Sequence, residues 1–471
     1  MNNKIKDKAK YKKKEHLGII AIIILFTFSF FYYFNPDADL WWDSSVYLGM
    51  GKYIYSSGEA GLYEASRPLV WPLILGFFWK LGLDAVFFGR IAVLIFGIGT
   101  IICTYLIAYE LFNKRTALLA SFLLAFSPAF FLFNSIMFTE IPAAFFVTLG
   151  LYFFIKQRYN FAGLVFGIAF IARFFQIFLI AAVYIFFIYM VYNKRAKLKQ
   201  FLWSIAFFSI PIIPFLILNF ILFKNPFYTF ILQAWMTKFT GWIFHQPLSF
   251  YFVNLLKENI LALFSILGIF FIFKKEKGIK LILPITFLLA FLPYNFHPHK
   301  EMRFLIFLFP LLYILTSYGI IKFLEYFGRY RKTAVYLLIL IGTLHIAPQL
   351  RLNNYDDKLD VFYDFMENKD IKDGLWISNP SFIAYNDAKA DKLIYYPLYN
   401  TEEIKNLKEK INQAKYILIN SCDIMPCPPY EEACAREHEE FIAILIKDFK
   451  AELNEKHSGK HGNCDYYIFT S

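Results

Sequence analysis

The stretch "NPDADLWWDSSVYLGM" (35–50) sets three carboxylates, Asp37, Asp39 and Asp43, beside two tryptophans, just after an apolar run. A carboxylate can take the proton of an attacking hydroxyl or hold a divalent cation. Glu140 stands in "FTEIPAAFF", where an acid in the first helical turn suits the helix dipole and could also face a cavity and bind substrate. Arg173 interrupts the apolar "GLVFGIAFIARFFQIFLIAAV" with no acid nearby in sequence. An arginine inside a membrane segment is expensive and faces a partner or polar cavity; a phosphate is such a partner. His297, His299, Lys300, Glu301 and Arg303 crowd into "HPHKEMR". The histidines with Glu301 could hold a metal, but their spacing around Pro298 is no zinc pattern. With Lys300 and Arg303 the loop reads as an anion cradle. Carboxylates and cations of this kind suit transfer from a lipid-linked phosphate. Cations hold the departing phosphate and offset its charge, and a carboxylate activates the attacking hydroxyl.

These residues must be positioned by membrane helices. The chain of 471 residues is 58% hydrophobic and 21% aromatic, with mean hydropathy +0.47. Apolar runs predict a polytopic α-helical membrane protein with about eleven spans, near 17–34, 86–110, 116–133, 141–155, 161–172, 174–192, 201–222, 258–273, 279–295, 303–324 and 333–348. The pair 161–172 and 174–192 could instead be one broken helix. The first run shows no cleavage site and reads as a retained helix. The loops at 113–115, 156–158, 193–200, 274–280 and 328–332 are all basic. That is the positive-inside pattern: N-terminus cytoplasmic, loops at 35–85, 134–140, 223–257 and 296–302 outside.

Loop 35–85 is expected to carry two interfacial helices, its tryptophans forming an aromatic belt. One opens at Asp43, with Asp and two serines as cap and first turn, and shows Val46, Met50, Tyr53 and Ile54 on one face. The other is "RPLVWPLILGFFWKLG" (67–82).

Charge changes sign along the chain. Lys+Arg number 34 against 14 Asp+Glu up to Arg351, and 14 against 22 beyond. This divides a membrane domain, 1–351, from a soluble extracytoplasmic domain, 352–471. The basic residues sit in short loops between spans, so membrane lipids, not nucleic acid, surround them. The tail alternates helix and strand: helices near 356–369, 400–414 and 429–449, strands at "GLWISN", "KYILINS" and "CDYYIFTS". This predicts a small α/β sandwich. Cys422, Cys427, Cys434 and Cys464 predict two disulfides of open connectivity; zinc with His438, His457 and His461 is the alternative.

Three segments resemble the GT-C superfamily of integral membrane glycosyltransferases, which use polyprenyl-phosphate sugars. "WWDSSVYLGMGKYI" followed by "RPLVWPLILGFFWKLG" resembles that family's first outer loop, where a D-E-A-x-Y motif opens one helix. "GLVFGIAFIARFFQ" resembles its Gly-rich span ending in a basic residue. "HKEMRFLIFLFPLL" (299–312) is similar to the H-K-E-x-R-F segment of α-mannosyltransferases that use dolichyl-phosphate mannose. Two departures stand out: Ser44 replaces the second acid, and Asn35-Pro36-Asp37-Ala38 keeps two positions of an H-P-D-E motif.

The resemblance implies an inverting hexosyltransferase at the outer face, mannose being one donor sugar, with a glycan, protein or lipid acceptor. Asp43 would be the base, with Asp37 in reserve. Arg173, His299, Lys300 and Arg303 would hold the donor phosphate. Glu140, Glu301 and His297 would contact substrate. No cofactor is required on this reading. Asp37 and Asp39 form a D-x-D that would bind a divalent metal in an oligosaccharyltransferase-like alternative. A transporter or lipid flippase is the other rival, but it should show internal repeats, and none is convincing.

Overall fold

The computed structural model describes residues 17–240, 242–354, 359–394, 401–423, 427, 432–459 and 462–471. The basic segment 1–16, His461 and the side chain of His457 lie outside what is described. The chain forms two compact units. The first comprises Met1–Asn35, Arg90–Phe227 and Phe244–Asn353; the second comprises Pro36–Gly89, Tyr228–Ile243 and Asn354–Ser471.

The first unit is built of apolar helices. Ala85–Leu111, Phe174–Tyr192, Leu198–Phe223, Gly278–Phe296 and the segment Met302–Gln349 are long and apolar enough to cross a membrane. Leu17–Tyr33, Glu140–Ile155 and Tyr159–Ala172 are shorter apolar helices. A helix satisfies its own backbone, which makes it the economical way to carry such sequence through lipid. The chain is a multi-pass membrane protein.

Two expected spans are broken. The run 116–133 divides into Lys114–Ala125 and Pro128–Phe133, because Pro128 cannot continue the preceding turn. The run 258–273 starts after an extended Asn259 that ends the helix Phe250–Glu258. Arg173 is likewise extended (φ −162°, ψ 113°), so 159–172 and 177–192 are separate helices. Helices Tyr159–Ala172 and Leu198–Phe223 pack closely: Gly163 and Gly167 face the Ser204 and Phe208 carbonyls with no room for a Cβ.

In the second unit the described strands form one sheet of order β2-β1-β3-β5-β4, with β1 Leu375–Ile377, β2 Ala390–Leu393, β3 Tyr416–Asn420, β4 Lys450–Gly459 and β5 Gly462–Thr470. β1 runs parallel to β2 and β3; β5 is antiparallel to β3 and β4. Helices Thr401–Lys410 and Glu432–Asp448 pack with it around Trp376, Ile404, Ile417, Phe441 and Phe469. The cysteines pair Cys422–Cys464 and Cys427–Cys434, which excludes them as zinc ligands.

Loop residues 36–89 belong to this second unit. The helix Trp42–Tyr55 crosses the helix Val70–Lys80 where Gly51 meets Gly76; a Cβ on Gly51 would press on the Gly76 amide and the Pro72 carbonyl. On Trp42–Tyr55 burial extends beyond the one apolar face expected from the sequence. Every residue from Ser44 to Lys52 is buried, including the polar Ser44, Ser45 and Lys52. The reason is that residues of the tail cover its polar side. Val70–Lys80 has 11 residues, roughly 16 Å at 1.5 Å per residue, too short to cross about 30 Å of hydrocarbon.

Candidate active site

In the first unit the polar residues converge at helix ends. Glu140 opens the helix Glu140–Ile155, and its carboxylate is buried. Arg173 occupies the break after Ala172 and caps the helix that ends there: its backbone is extended, while its amide still donates to the Ala169 carbonyl at 3.0 Å. Its Nη1 lies 2.9 Å from Glu140 Oε1 and donates to Thr139 Oγ1 at 3.0 Å. Tyr294, on the helix Ile282–Phe296, donates its hydroxyl to the Phe175 carbonyl at 2.9 Å, which steadies that break.

Glu301 and Arg303 follow the helix Ile282–Phe296. Arg303 grips Glu301 with two nitrogens, Nη2 to Oε1 and Nε to Oε2, both at 2.9 Å. Arg303 Nε also lies 3.8 Å from Glu140 Oε1. His299 Nε2 contacts Glu301 Oε1 at 2.8 Å, and its ring stacks on Phe244. Burial pushes the Glu301 carboxyl up, but Arg303 and the His299 hydrogen bond outweigh it and hold the group below the ordinary carboxylate value. Both guanidinium groups sit 5.5 Å from the Phe304 ring centroid. Such aromatic faces favour cations.

In the second unit Asp43 lies in the first turn of its helix and is not its cap; Trp41 takes that place. The carboxylate turns instead to Arg67, with Nη2 2.9 Å from Oδ1. Arg67 Nε binds Glu64 Oε1 at 2.9 Å, Ser66 Oγ donates to the same oxygen at 2.7 Å, and the guanidinium lies over the Tyr47 ring. Asp43 is therefore held in one orientation by a cation that is itself braced.

Of the residues singled out by sequence, Glu140, Arg173, His299, Glu301 and Arg303 come together. His297 binds the His299 carbonyl and acts within the loop. Lys300 does not join the ion-pair network: it is buried and donates Nζ to the Gln246 carbonyl at 2.8 Å, holding a neighbouring segment. Asp37 is exposed and Asp39 half-buried. Among the described residues, no three His, Cys, Asp or Glu side chains group closely enough to hold a metal ion. Sequence reasoning missed Arg67, Glu64 and Phe304. Arg67 stood in the quoted "RPLVWP", but nothing local pointed from it to Asp43.

Residues 66–218 match the family model described as dolichyl-phosphate-mannose-protein mannosyltransferase. No curated protein sequence matches the chain. Solved structures are similar over nearly its whole length. ArnT from Cupriavidus metallidurans, bound to undecaprenyl phosphate, gives a TM-score of 0.64 at 10% identity, covering 96% of this chain and 97% of that one. The apo oligosaccharyltransferase of Archaeoglobus fulgidus gives 0.65 at 13% identity, covering 97% and 74%. The oligosaccharyltransferase AglB of the same organism, with an inhibitory peptide and a dolichol-phosphate, gives 0.60 at 15% identity, again covering 97% and 74%. The chain thus has the fold of GT-C glycosyltransferases, with a small sheet domain at its C-terminal end. The resemblance to GT-C enzymes holds: the family match spans 66–218, which includes the Arg173 segment but not 299–312, and the structural likeness extends over nearly the whole chain.

Proposed function

We propose that this protein transfers a sugar, mannose in the first instance, from a polyprenyl-phosphate donor to an acceptor hydroxyl. The observation that carries the reading is the paired guanidinium site, Arg173 and Arg303 over Phe304, in a chain with the GT-C fold. ArnT with undecaprenyl phosphate and AglB with dolichol-phosphate and a peptide support a lipid-linked donor and a separate acceptor.

In this reaction Asp43 takes the acceptor O–H proton. The acceptor oxygen attacks C1, the C1–phosphate oxygen bond breaks, and the anomeric configuration inverts. The polyprenyl phosphate leaves with the electron pair. Arg173, Arg303, His299 and Lys300 carry the phosphate side, the two arginines directly and Lys300 by holding the loop. Glu140, Glu301 and His297 orient them and the sugar hydroxyls. The chemistry comes from a base and cations, so no step is routed through a metal at Asp37 and Asp39. The basic loops favour an N-terminus in the cytoplasm and an extracytoplasmic reaction.

The test is a donor panel. Purified protein is offered synthetic polyprenyl-phosphate mannose and other polyprenyl-phosphate hexoses with membrane-extracted acceptors. Release of polyprenyl phosphate with transfer of one sugar supports the reading. Consumption of no donor in the panel overturns it.

A further inference from the structure

None of the groups named in the proposed reaction comes from the tail, yet the tail grips the helix that carries Asp43. β1 ends at Ile377 and β3 at Asn420, two neighbouring parallel strands. The chain leaves β1 for β2 on one side and returns through β3 on the other. In open α/β sheets, this carboxyl edge is where ligands bind. Here the protein's own outer-loop segment occupies it.

The contacts form a chain of named atoms. Asn379 Nδ2 donates to Asp423 Oδ1 at 3.0 Å, and Asn379 Oδ1 accepts from the Ser381 amide at 2.8 Å. Ser381 Oγ lies 2.9 Å from Ser45 Oγ and donates to the Leu40 carbonyl at 3.4 Å. Ser45 and Ser381 are both buried, and Ser45 stands two residues after Asp43. Lys52, about two turns further on, donates Nζ to the carbonyls of Ala384 at 3.0 Å and Asn386 at 2.6 Å, and lies 3.5 Å from Asp387. Gly61 then pairs with the tail on both sides, its amide to the Ala388 carbonyl and its carbonyl to the Ala390 amide.

Plain packing does not explain these residue types. Burying an ammonium costs far more than burying a methionine of similar length. A buried hydroxyl pair adds direction that apolar contact lacks. Both devices fix the rotation of the Asp43 helix about its axis.

We infer that Ser381 is a positioning residue that acts through Ser45, with Lys52 as the second anchor, to aim Asp43 at its substrate. This inference rests on the assignment of Asp43 as the base. A reacting group displaced by about 1 Å can lose about 100-fold in rate.

The full-length chain tests it. Ser381→Ala and Lys52→Met are expected to lower kcat about 10- to 100-fold, with KM for the lipid donor within about twofold, because donor binding does not depend on the base. Ser381→Thr keeps the hydroxyl and should recover most of the rate. If Ser381→Ala does not fold, Ser45→Ala breaks the same contact from the helix side. In a double-mutant cycle, Ser45→Ala with Ser381→Ala should be no slower than either alone. Wild-type kcat in folded Ser381→Ala and Lys52→Met would overturn the inference, as would equal losses that simply follow the fraction of folded protein. If Asp43→Asn is inactive while these variants are unimpaired, the clamp fails and the base assignment stands. If Asp43→Asn is fully active, the base assignment itself fails.

Discussion

The Arg173 guanidinium meets the Glu140 carboxylate at 2.9 Å, and the same nitrogen reaches Thr139 Oγ1 at 3.0 Å. One side chain thus ties the break after Ala172 to the start of the Glu140–Ile155 helix. Removing one partner of such a buried pair leaves an uncompensated charge. Glu140→Ala should therefore destabilise the protein by about 3–5 kcal/mol. Glu140→Gln, which still accepts a hydrogen bond, should cost less. Unfolding in detergent, followed for both variants, checks the order.

Arg303 holds Glu301 through two nitrogens. A lysine at this position supplies charge but not the fork. Arg303→Ala should lower kcat about 10²- to 10³-fold, the usual effect of losing one donor to a developing anion. Arg303→Lys should recover only part of it. Steady-state kinetics with a saturating donor reads the difference.

Glu301 gives a pH dependence with a definite sign. Its carboxyl is pushed up by burial but held lower overall by Arg303 and His299. A carboxyl whose native value is depressed adds stability above its unfolded value, about 4.3, and loses it as pH falls through the native value. Wild type should therefore exceed Glu301→Gln in stability by a constant margin above about pH 5, shrinking toward pH 3. Thermal unfolding across that range measures it; a margin that grows on acidification contradicts the assignment.

The two disulfides should differ in worth. Cys422–Cys464 closes a separation of 42 residues and Cys427–Cys434 one of 7. Chain entropy assigns them about 4 and about 2.5 kcal/mol. Replacing both cysteines of the longer loop by alanine should lower the unfolding temperature more than the same change in the shorter loop. The longer bridge also adjoins Asp423, so its removal should lower kcat as well.

Sequence made the helical class legible because apolar runs carry it directly. It also singled out Glu140, Arg173, Glu301 and Arg303, which lie near one another in the structure, since charges within or beside such runs stand out. The strands β1, β3 and β5 were readable; β2 and β4 were not. Those two are the edges of the sheet, and an edge strand such as "KAELNEKHSG" can be polar on both faces. The Asp43–Arg67 pair and the Ser45–Ser381 contact, 336 residues apart, escaped for another reason. They join single polar residues whose partners no local pattern names. Lys52 escaped in the same way, because its partners are backbone carbonyls.

The most direct test of the account is transfer by Asp43→Asn. A general base contributes about 10²- to 10⁴-fold. Purified Asp43→Asn, given the polyprenyl-phosphate sugar that wild type consumes, should bind it with unchanged affinity and transfer the sugar at least 100-fold more slowly. Transfer at the wild-type rate would contradict the account and move the search for the base to Asp37.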